Sequence, residues 1–298
     1  MSIFFARSFC RNTGGDYMAK NYEELKLSDD FMFGKVMEDS GLCREVLECL
    51  LGKTVGELEE IETQREFRYA MDGKPIRLDI YTRDGEAVYD AEMQNLNHKR
   101  PEDYDLPRRS RFYQASMDTD YLKKKQSYRT LPETNILFIC TFDPFGEDLP
   151  QYTFRNRCDE VPELAMQDGT SKYFFNCTCE GEEIPEDMQA LFRYIMTGKP
   201  TDELTGKLQK AVEAGLRNEK WRSEYMKELL HDDDMREEGR AEGREEERAN
   251  TEREKARADA LEVKAKAQEI KADAQEARAD ALEARVRELE EIINNMKK

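Results

Sequence analysis

The sequence predicts an α/β or α+β domain, in which helices flank a central mixed sheet, followed by a long charged helix at the C-terminus. Up to about residue 199, short apolar segments alternate with helical patterns and with turns that contain Gly and Asp. Residues 135–142 form an apolar run that is typical of a buried strand. From about His231 onward Phe, Tyr, Trp and Pro are absent from the sequence, and Glu, Arg, Ala and Lys predominate.

The first half of the domain is predicted to hold two helices and three strands. Ser28 is a residue type that caps helices, and it predicts a helix over residues 28–38. A second helix is predicted over residues 41–51, where Gly52 would end it. Three segments separated by turns at residues 71–74 and 83–86 are predicted to be strands, at 61–69, 76–82 and 87–94.

The second half adds a helix, three strands and a further helix. The first helix is predicted over about residues 105–125, with apolar positions at Leu106, Phe112, Tyr113 and Tyr121. The buried strand at 135–142 follows it, and two further candidate strands lie at 152–157 and 172–177. A helix at 185–197 ends the series.

Four segments are predicted along the chain. Residues 1–20 show no periodic pattern and are predicted to be a disordered or spurious extension, with Met18 as a candidate for the natural start. Residues 21–200 form the globular domain. A charged helical linker over residues 201–245 then leads to a coiled coil over residues 246–298.

A seven-residue repeat runs from Ala256 to Lys298. Position a of the heptad holds Ala, Val or Ile (Ala258, Ala265, Ala272, Ala279, Val286, Ile293), and position d holds Leu, Gln or Met (Leu261, Gln268, Gln275, Leu282, Leu289, Met296). Five successive g positions are basic (Arg257, Lys264, Lys271, Arg278, Arg285) and five successive e positions are acidic (Glu262, Glu269, Glu276, Glu283, Glu290), which favours a parallel dimer of two copies in register. Small Ala and polar Gln bury little surface, so a single solvated helix held by charge pairs is the alternative.

Composition and motifs exclude several classes of protein. The chain has 298 residues and a formal net charge of −18, and it lacks the run of ~20 apolar residues that a membrane helix needs. Because neither a Gly-Lys-Ser/Thr phosphate loop nor a dinucleotide fingerprint occurs in the sequence, no nucleotide cofactor is expected. Two histidines are too few for a multi-histidine metal site. Seven cysteines without framework spacing predict a reducing compartment, and we expect a cytoplasmic protein.

Acidic side chains in two neighbouring strands are the main functional signal. Asp79 lies in one predicted strand, and Glu92 and Gln94 lie in the next, where they share a face with Asp90 because side chains alternate. If residues 83–86 form the connecting turn, Asp79 falls opposite the stretch from Asp90 to Glu92. A divalent ion such as Mg²⁺ would relieve the repulsion between such carboxylates. The alternative is a solvent-facing polar face of the sheet, which needs no metal.

Six short motifs occur in a fixed order along the chain, at residues 27–33, 78–80, 91–94, Arg109 with Tyr113, 139–146 and 236–244. Together with the order of the elements, they resemble the PD-(D/E)XK nuclease superfamily. The similarity is closest to its Rpn-type recombination-promoting nucleases, also described as PD-(D/E)XK transposase-like, and it extends over about residues 21–244.

This resemblance implies a restriction-endonuclease-like core and a metal-dependent DNA endonuclease linked to recombination or mobile elements. Asp79 and Glu92 match the metal-binding carboxylates, and Asp30 matches an acidic residue that binds the metal through water. Gln94 matches the position that is Lys in the parent motif, and its amide would orient water. The implied catalytic residues are therefore Asp79, Glu92 and Gln94, acting with Mg²⁺ or another divalent cation on phosphodiesters of double-stranded DNA.

The sequence departs from the family pattern at a cationic position. The basic residue that usually follows Phe33 is Gly34 here, with Lys35 one position later. Since Gln94 carries no charge, Lys35 or Lys99 would have to supply the missing cation, and the sequence leaves this choice open. A catalytically inactive nuclease fold that binds DNA or protein is therefore the alternative function.

A local excess of positive charge makes DNA binding compatible with the overall acidity. Residues 94–130 include nine basic and five acidic residues, a local charge of +4. The predicted phosphate contacts in this segment are Lys99, Arg108, Arg109 and Lys123. The alternative is a solvated helix face on which Arg109 packs against Tyr113, four residues further on.

Overall fold

A computed structural model describes the protein over residues 20–67, 76–95, 105–122, 126–181 and 184–296. Residues 1–19 and the predicted DNA contacts Lys99 and Lys123 lie outside these ranges. The chain divides into two compact units, residues 1–227 and residues 228–298. Over its described part, the first unit is an α+β domain with a six-stranded mixed sheet flanked by helices, which confirms the predicted class.

The six strands lie in the order β1-β2-β3-β4-β6-β5. Their bounds are β1 Glu62–Phe67, β2 Ile76–Arg83, β3 Ala87–Gln94, β4 Glu133–Cys140, β5 Gln151–Phe154 and β6 Thr170–Asn176. The strands β3, β4 and β6 are parallel, whereas β1, β2 and β5 pair with their neighbours in antiparallel fashion. All six strands were predicted, and their ends shift by a few residues because pairing decides where a strand stops.

One face of the sheet is covered by α3, Leu106–Tyr121, which links β3 to the parallel strand β4. Its inward residues Leu106, Tyr113 and Met117 join a core cluster with side chains of the sheet, among them Val88, Phe138 and Phe174. Phe112, an apolar position of the predicted helix, lies outside this core and is 45% exposed. Phe112 precedes Tyr113 by one residue and therefore points about 100° away from it around the helix.

Four helices lie on the other side of the sheet: α1 Asp30–Met37, α2 Ser40–Leu51, α4 Glu186–Thr197 and α5 Glu203–Leu216. The helix α1 contacts β1, β2 and β3, and the other three helices pack against α1 or against one another. Phe175 of β6 meets Phe192 of α4 edge to face, with ring centroids 6.4 Å apart. Both are fully buried, so the two faces of the sheet each have their own packed layer.

Helix ends follow the predicted signals with one correction. The Asp39 carboxylate caps α2 by accepting a hydrogen bond from the Leu42 N–H at 3.0 Å. Gly52 ends that helix with a φ of 61°, a left-handed conformation that glycine adopts without strain. The N-cap of α1 is Asp29 and not the predicted Ser28, because the Asp29 carbonyl accepts the first helical hydrogen bond, from the Phe33 N–H at 2.9 Å. The Asp29 side chain makes no capping hydrogen bond and accepts instead from the Lys26 N–H at 2.7 Å.

The globular unit extends beyond the predicted boundary at residue 200. Leu208 and Val212 of α5 are buried, so the first part of the predicted linker belongs to the core. The last helix, α6 Glu219–Met296, begins within the same unit. There the Tyr225 hydroxyl donates to the Lys20 carbonyl at 2.8 Å, and the Tyr22 hydroxyl donates to the Gly215 carbonyl at 2.6 Å.

The second unit consists of α6 from residue 228 onward, which is helical through the heptad repeat. Apolar side chains of the predicted seam are exposed, Leu282 at 67% and Leu289 at 46%. Within the helix, Lys266 pairs with Glu262 at 2.7 Å and Arg287 pairs with Glu283 at 3.4 Å. Such pairs fit the single-helix alternative, while the exposed seam fits the dimer.

Within the described parts of the chain, no helix is both long and apolar enough to cross a bilayer.

Candidate active site

Two antiparallel strands bring the predicted carboxylates together. The pairing of β2 with β3 places Tyr81 opposite Asp90 and Ile80 opposite Ala91, so the next positions are Asp79 and Glu92. There the strands are joined through side chains: the Asp79 N–H donates to Glu92 Oε1 at 2.9 Å, and the Met93 N–H donates to Asp79 Oδ2 at 3.1 Å. Each carboxylate is thus fixed by the backbone of the opposite strand. The register that brings them together agrees with the predicted turn at 83–86.

These carboxylates lie inside the protein. Asp79 is 8% exposed and Glu92 is 1% exposed, while Asp90 is completely buried beneath α3. The alternative of a solvent-facing polar face is therefore wrong. Water cannot solvate these buried side chains, so their charges must be compensated by neighbouring groups or by bound protons.

Burial raises the pKa of all three carboxyl groups well above the ordinary value. Mutual repulsion adds to this effect: Glu92 raises the pKa of Asp79, Asp79 raises that of Asp90, and Asp90 raises that of Glu92. The Arg109 guanidinium opposes these shifts at each site. When all three groups are ionised, the cluster therefore has more negative charge than Arg109 offsets.

Asp90 is an unassigned member of the cluster. In the described part of the chain, no side-chain or backbone donor reaches either of its carboxylate oxygens. Glu92 lies two residues further on the same face, and its carboxyl group can share a hydrogen bond with Asp90 only when one of the two is protonated. The sequence placed Asp90 on this face without giving it a role.

Arg109 of α3 is the cation of the site. Its Nη1 donates to Gln94 Oε1 at 2.7 Å, and its Nη2 donates to Glu92 Oε2 at 3.3 Å. The Tyr113 hydroxyl accepts from Nη2 at 2.8 Å, so the predicted Arg109–Tyr113 pair exists as well. The guanidinium is therefore bound to Glu92 and Gln94, two of the three residues that the resemblance implies to be catalytic, and to Tyr113.

The cluster opens into a cleft of about 240 Å³. It is lined by the side chains or backbone of Asp30, Arg77, Asp79, Glu92, Met93, Gln94, Asn95 and Arg109. Asp30, at the start of α1, thus lines the same cleft as Asp79 and Glu92, while its role as a ligand through water stays a prediction. Arg77 was missed, although its position two residues before Asp79 places it on the same face of β2.

Other predicted residues lie elsewhere. Lys35 pairs with Glu38 at 2.8 Å and with Glu224 at 2.9 Å, and it is not among the residues that line the cleft. Arg108 is 76% exposed at its side chain and pairs with Asp105 at 3.3 Å outside the cleft. Its contact with DNA, like those of Lys99 and Lys123, stays a prediction.

The residues of the cleft are suited in kind to a hard divalent cation. Mg²⁺ takes oxygen ligands and is commonly bound by one or two carboxylates and several waters, which Asp79 and Glu92 can supply. Asp30 and the Met93 carbonyl add oxygen atoms at the same cleft. Among the described residues, however, no three His, Cys, Asp or Glu side chains already form a metal-binding group. A two-carboxylate site completed by water is what these residues fit.

Comparisons with known proteins leave the family of the chain open. None of the protein-family models that were searched matches it. Neither a curated protein nor a solved structure matches it either. The resemblance to the PD-(D/E)XK nucleases stays a prediction, and a function has to be inferred from the geometry of the cleft.

Proposed function

We propose that the protein is a metal-dependent DNA endonuclease with a PD-(D/E)XK-type, restriction-endonuclease-like core. The observation that supports this proposal most strongly is the buried pair of Asp79 and Glu92 at the base of an open cleft. Each carboxylate has one oxygen fixed by the opposite strand, so the pair is preorganised. Such a costly concentration of buried negative charge is explained by a cation that binds there.

Asp79 and Glu92 would hold the cation, with Asp30 acting through water. A divalent ion bound there would lower the pKa of a water molecule and offset the charge of the transition state. Gln94 is held at both ends of its amide, since Oε1 accepts from Arg109 and Nε2 donates to the Met93 carbonyl at 2.9 Å. Its remaining lone pair and N–H are in place to orient the attacking water.

The self-association that we propose is a parallel coiled-coil dimer formed by α6. The exposed Leu282 and Leu289 at d positions, with basic g and acidic e positions beside them, support this arrangement. Two copies would provide two clefts, one for each strand of a DNA duplex. A role in recombination or mobile elements rests only on the family resemblance.

One observation favours the second candidate, an inactive nuclease fold that binds DNA or protein. Arg109 occupies Glu92 Oε2 and Gln94 Oε1, two oxygens that the reaction would use. If this guanidinium stays in place, the charge of Glu92 is already offset in part, and a divalent cation gains less there. Turnover by the purified protein distinguishes the two candidates.

A plasmid-nicking assay with the full-length protein tests the proposal. Wild type is incubated with supercoiled DNA in Mg²⁺, in Mn²⁺ and in EDTA, beside Glu92→Gln and Asp79→Asn. The matched control is Glu86→Gln, an exposed carboxylate in the β2–β3 turn. We expect cleavage that needs the cation, that falls by at least about 100-fold in both cleft variants and that persists in the control.

The opposite result is equally clear. A folded wild type that cleaves none of these substrates with either cation, with circular dichroism confirming its helices, would favour the inactive binding module.

A further inference from the structure

Two guanidinium groups face the same acidic cleft from different elements. Arg77 reaches it from β2 and Arg109 from α3. Arg77 and Asp79 are two residues apart in one strand and therefore lie on the same face of the sheet. Arg109 is held by Gln94, Glu92 and Tyr113, while its side chain remains 32% exposed. Both arginines of the cleft are therefore accessible from solvent.

Guanidinium groups are suited to phosphate. Their planar fork matches two oxygens of a phosphodiester, and they remain charged throughout the physiological pH range. A guanidinium that is already oriented loses less conformational entropy when it binds. Arg109 is oriented by three partners, which leave one of its five N–H groups for a ligand. Arg77 is exposed at the surface, where a phosphate can reach it.

The charges of the cleft indicate when an anion would bind. Its lining has three acidic side chains, Asp30, Asp79 and Glu92, against two arginines, a formal charge of −1 when all are ionised. One divalent cation changes this to +1. Glu66 of β1 lies opposite Arg77 in the sheet, so its carboxylate competes with a phosphate for this arginine. The cleft should therefore attract phosphate more strongly when the carboxylates have a cation.

We propose that Arg77 and Arg109 form a guanidinium clamp that binds the phosphodiester backbone of DNA at the mouth of this cleft. The clamp rests on the proposed nuclease function, since it gives that function its substrate contact. The proposal gives Arg77 a role. It also makes Arg109 of α3 the cation that stands in for the Lys of the parent motif, whose position Gln94 occupies. DNA affinity should then depend on a divalent cation even without cleavage.

Fluorescence anisotropy of a labelled duplex tests the clamp with full-length protein in Ca²⁺ and in EDTA, over a series of salt concentrations. The variants are Arg77→Ala, Arg77→Lys and Arg109→Lys. The matched control is Arg83→Ala, because Arg83 lies at the other end of β2 and pairs with Glu59 at 2.6 Å.

In Ca²⁺ we expect Arg77→Ala to bind about tenfold more weakly than wild type and to lower the salt slope by about one phosphate contact. Arg77→Lys should recover part of this loss, since it keeps the charge without the fork. Arg109→Lys should also bind more weakly. The Arg83→Ala control should stay within about twofold of wild type, as a surface residue outside the cleft does.

Each contrary outcome has a separate meaning. If Arg77→Ala binds like Arg83→Ala while wild type cleaves DNA with a divalent cation, the clamp is wrong and the nuclease stands. Binding that needs Arg77, Arg109 and a cation, without cleavage, keeps the clamp and rejects the nuclease. A wild type that binds no DNA in either condition rejects the clamp, as does an affinity unchanged by Ca²⁺.

Discussion

Asp143 organises the turn that follows β4. Its Oδ1 accepts hydrogen bonds from the N–H groups of Phe145 and Gly146, at 3.0 and 2.9 Å, and from the Tyr152 hydroxyl at 2.8 Å. Its Oδ2 accepts from the Asp148 N–H at 2.8 Å. Burial alone would raise the pKa of Asp143, but these hydrogen bonds lower it below the ordinary value. The motif at residues 139–146 thus has a structural explanation of its own.

We expect Asp143→Asn to lower the free energy of unfolding at pH 7 by about 1–2 kcal/mol, because a neutral amide replaces an ionised acceptor. Because its folded-state pKa is lowered, the stabilisation is present above the unfolded pKa of about 4 and is lost as pH falls through the folded value. Urea unfolding at neutral and acidic pH measures this. The exposed Asp159→Asn serves as the control, and an equal effect of both substitutions would contradict the role of Asp143.

For individual residues, the sequence predicted the side-chain positions that depend on strand register. It missed the contacts that depend on how helices pack on the sheet. Asp79 opposite Glu92 follows from two strands and a short turn, and the structure places them so. Arg77 was predictable from the same two-residue spacing. The contact of Arg109 with Gln94 depends on how α3 crosses over the sheet, which no local pattern specifies.

At the level of elements, α5 and the start of α6 meet at a very close approach. A Cβ atom added to Gly215 would lie 2.4 Å from Cζ3 of Trp221 and 3.2 Å from Sδ of Met32. The Gly215 carbonyl also accepts from the Tyr22 hydroxyl, so the backbone has little room to move. Glycine is therefore required at this junction for lack of space.

We expect Gly215→Ala to destabilise the protein by about 1–3 kcal/mol through overpacking. Its matched control is Gly206→Ala in the same helix, where the added Cβ meets nothing within 4 Å. That substitution should be neutral or stabilising by up to about 1 kcal/mol, because alanine favours helix. Thermal unfolding followed by circular dichroism compares the two. Equal melting temperatures would show that the Trp221 ring yields without cost.

The same elements show why the predicted domain boundary fell short. Residues 201–245 are rich in charge, which suggested a linker. Leu208 and Val212 nevertheless form a buried stripe four residues apart on α5, and this stripe packs into the core. The charge of the segment obscured a short amphipathic helix.

For the whole molecule, the coiled-coil proposal makes a direct prediction about assembly. Replacing Leu282 and Leu289 together by Asn places four amides in the seam of a dimer, so its dissociation constant should rise by at least about tenfold. Val263 occupies position f, away from the seam, and is 69% exposed. The Val263→Asn control should therefore not affect assembly.

Sedimentation velocity of the full-length proteins over a range of concentrations measures this change. A wild type that is monomeric throughout would support the single charge-paired helix, in agreement with the Lys266–Glu262 and Arg287–Glu283 pairs.

Two hydrogen bonds from backbone N–H groups to the Asp79 and Glu92 carboxylates connect β2 and β3, and they make two amide protons reporters of the cleft. The N–H groups of Asp79 and Met93 donate to carboxylates and not to carbonyls. Their nitrogen and proton chemical shifts should therefore respond to any change in the charge on Glu92 and Asp79. Titration of isotopically labelled protein with a cation would reveal occupancy of the cleft at two assigned signals, without nucleic acid and without a reaction.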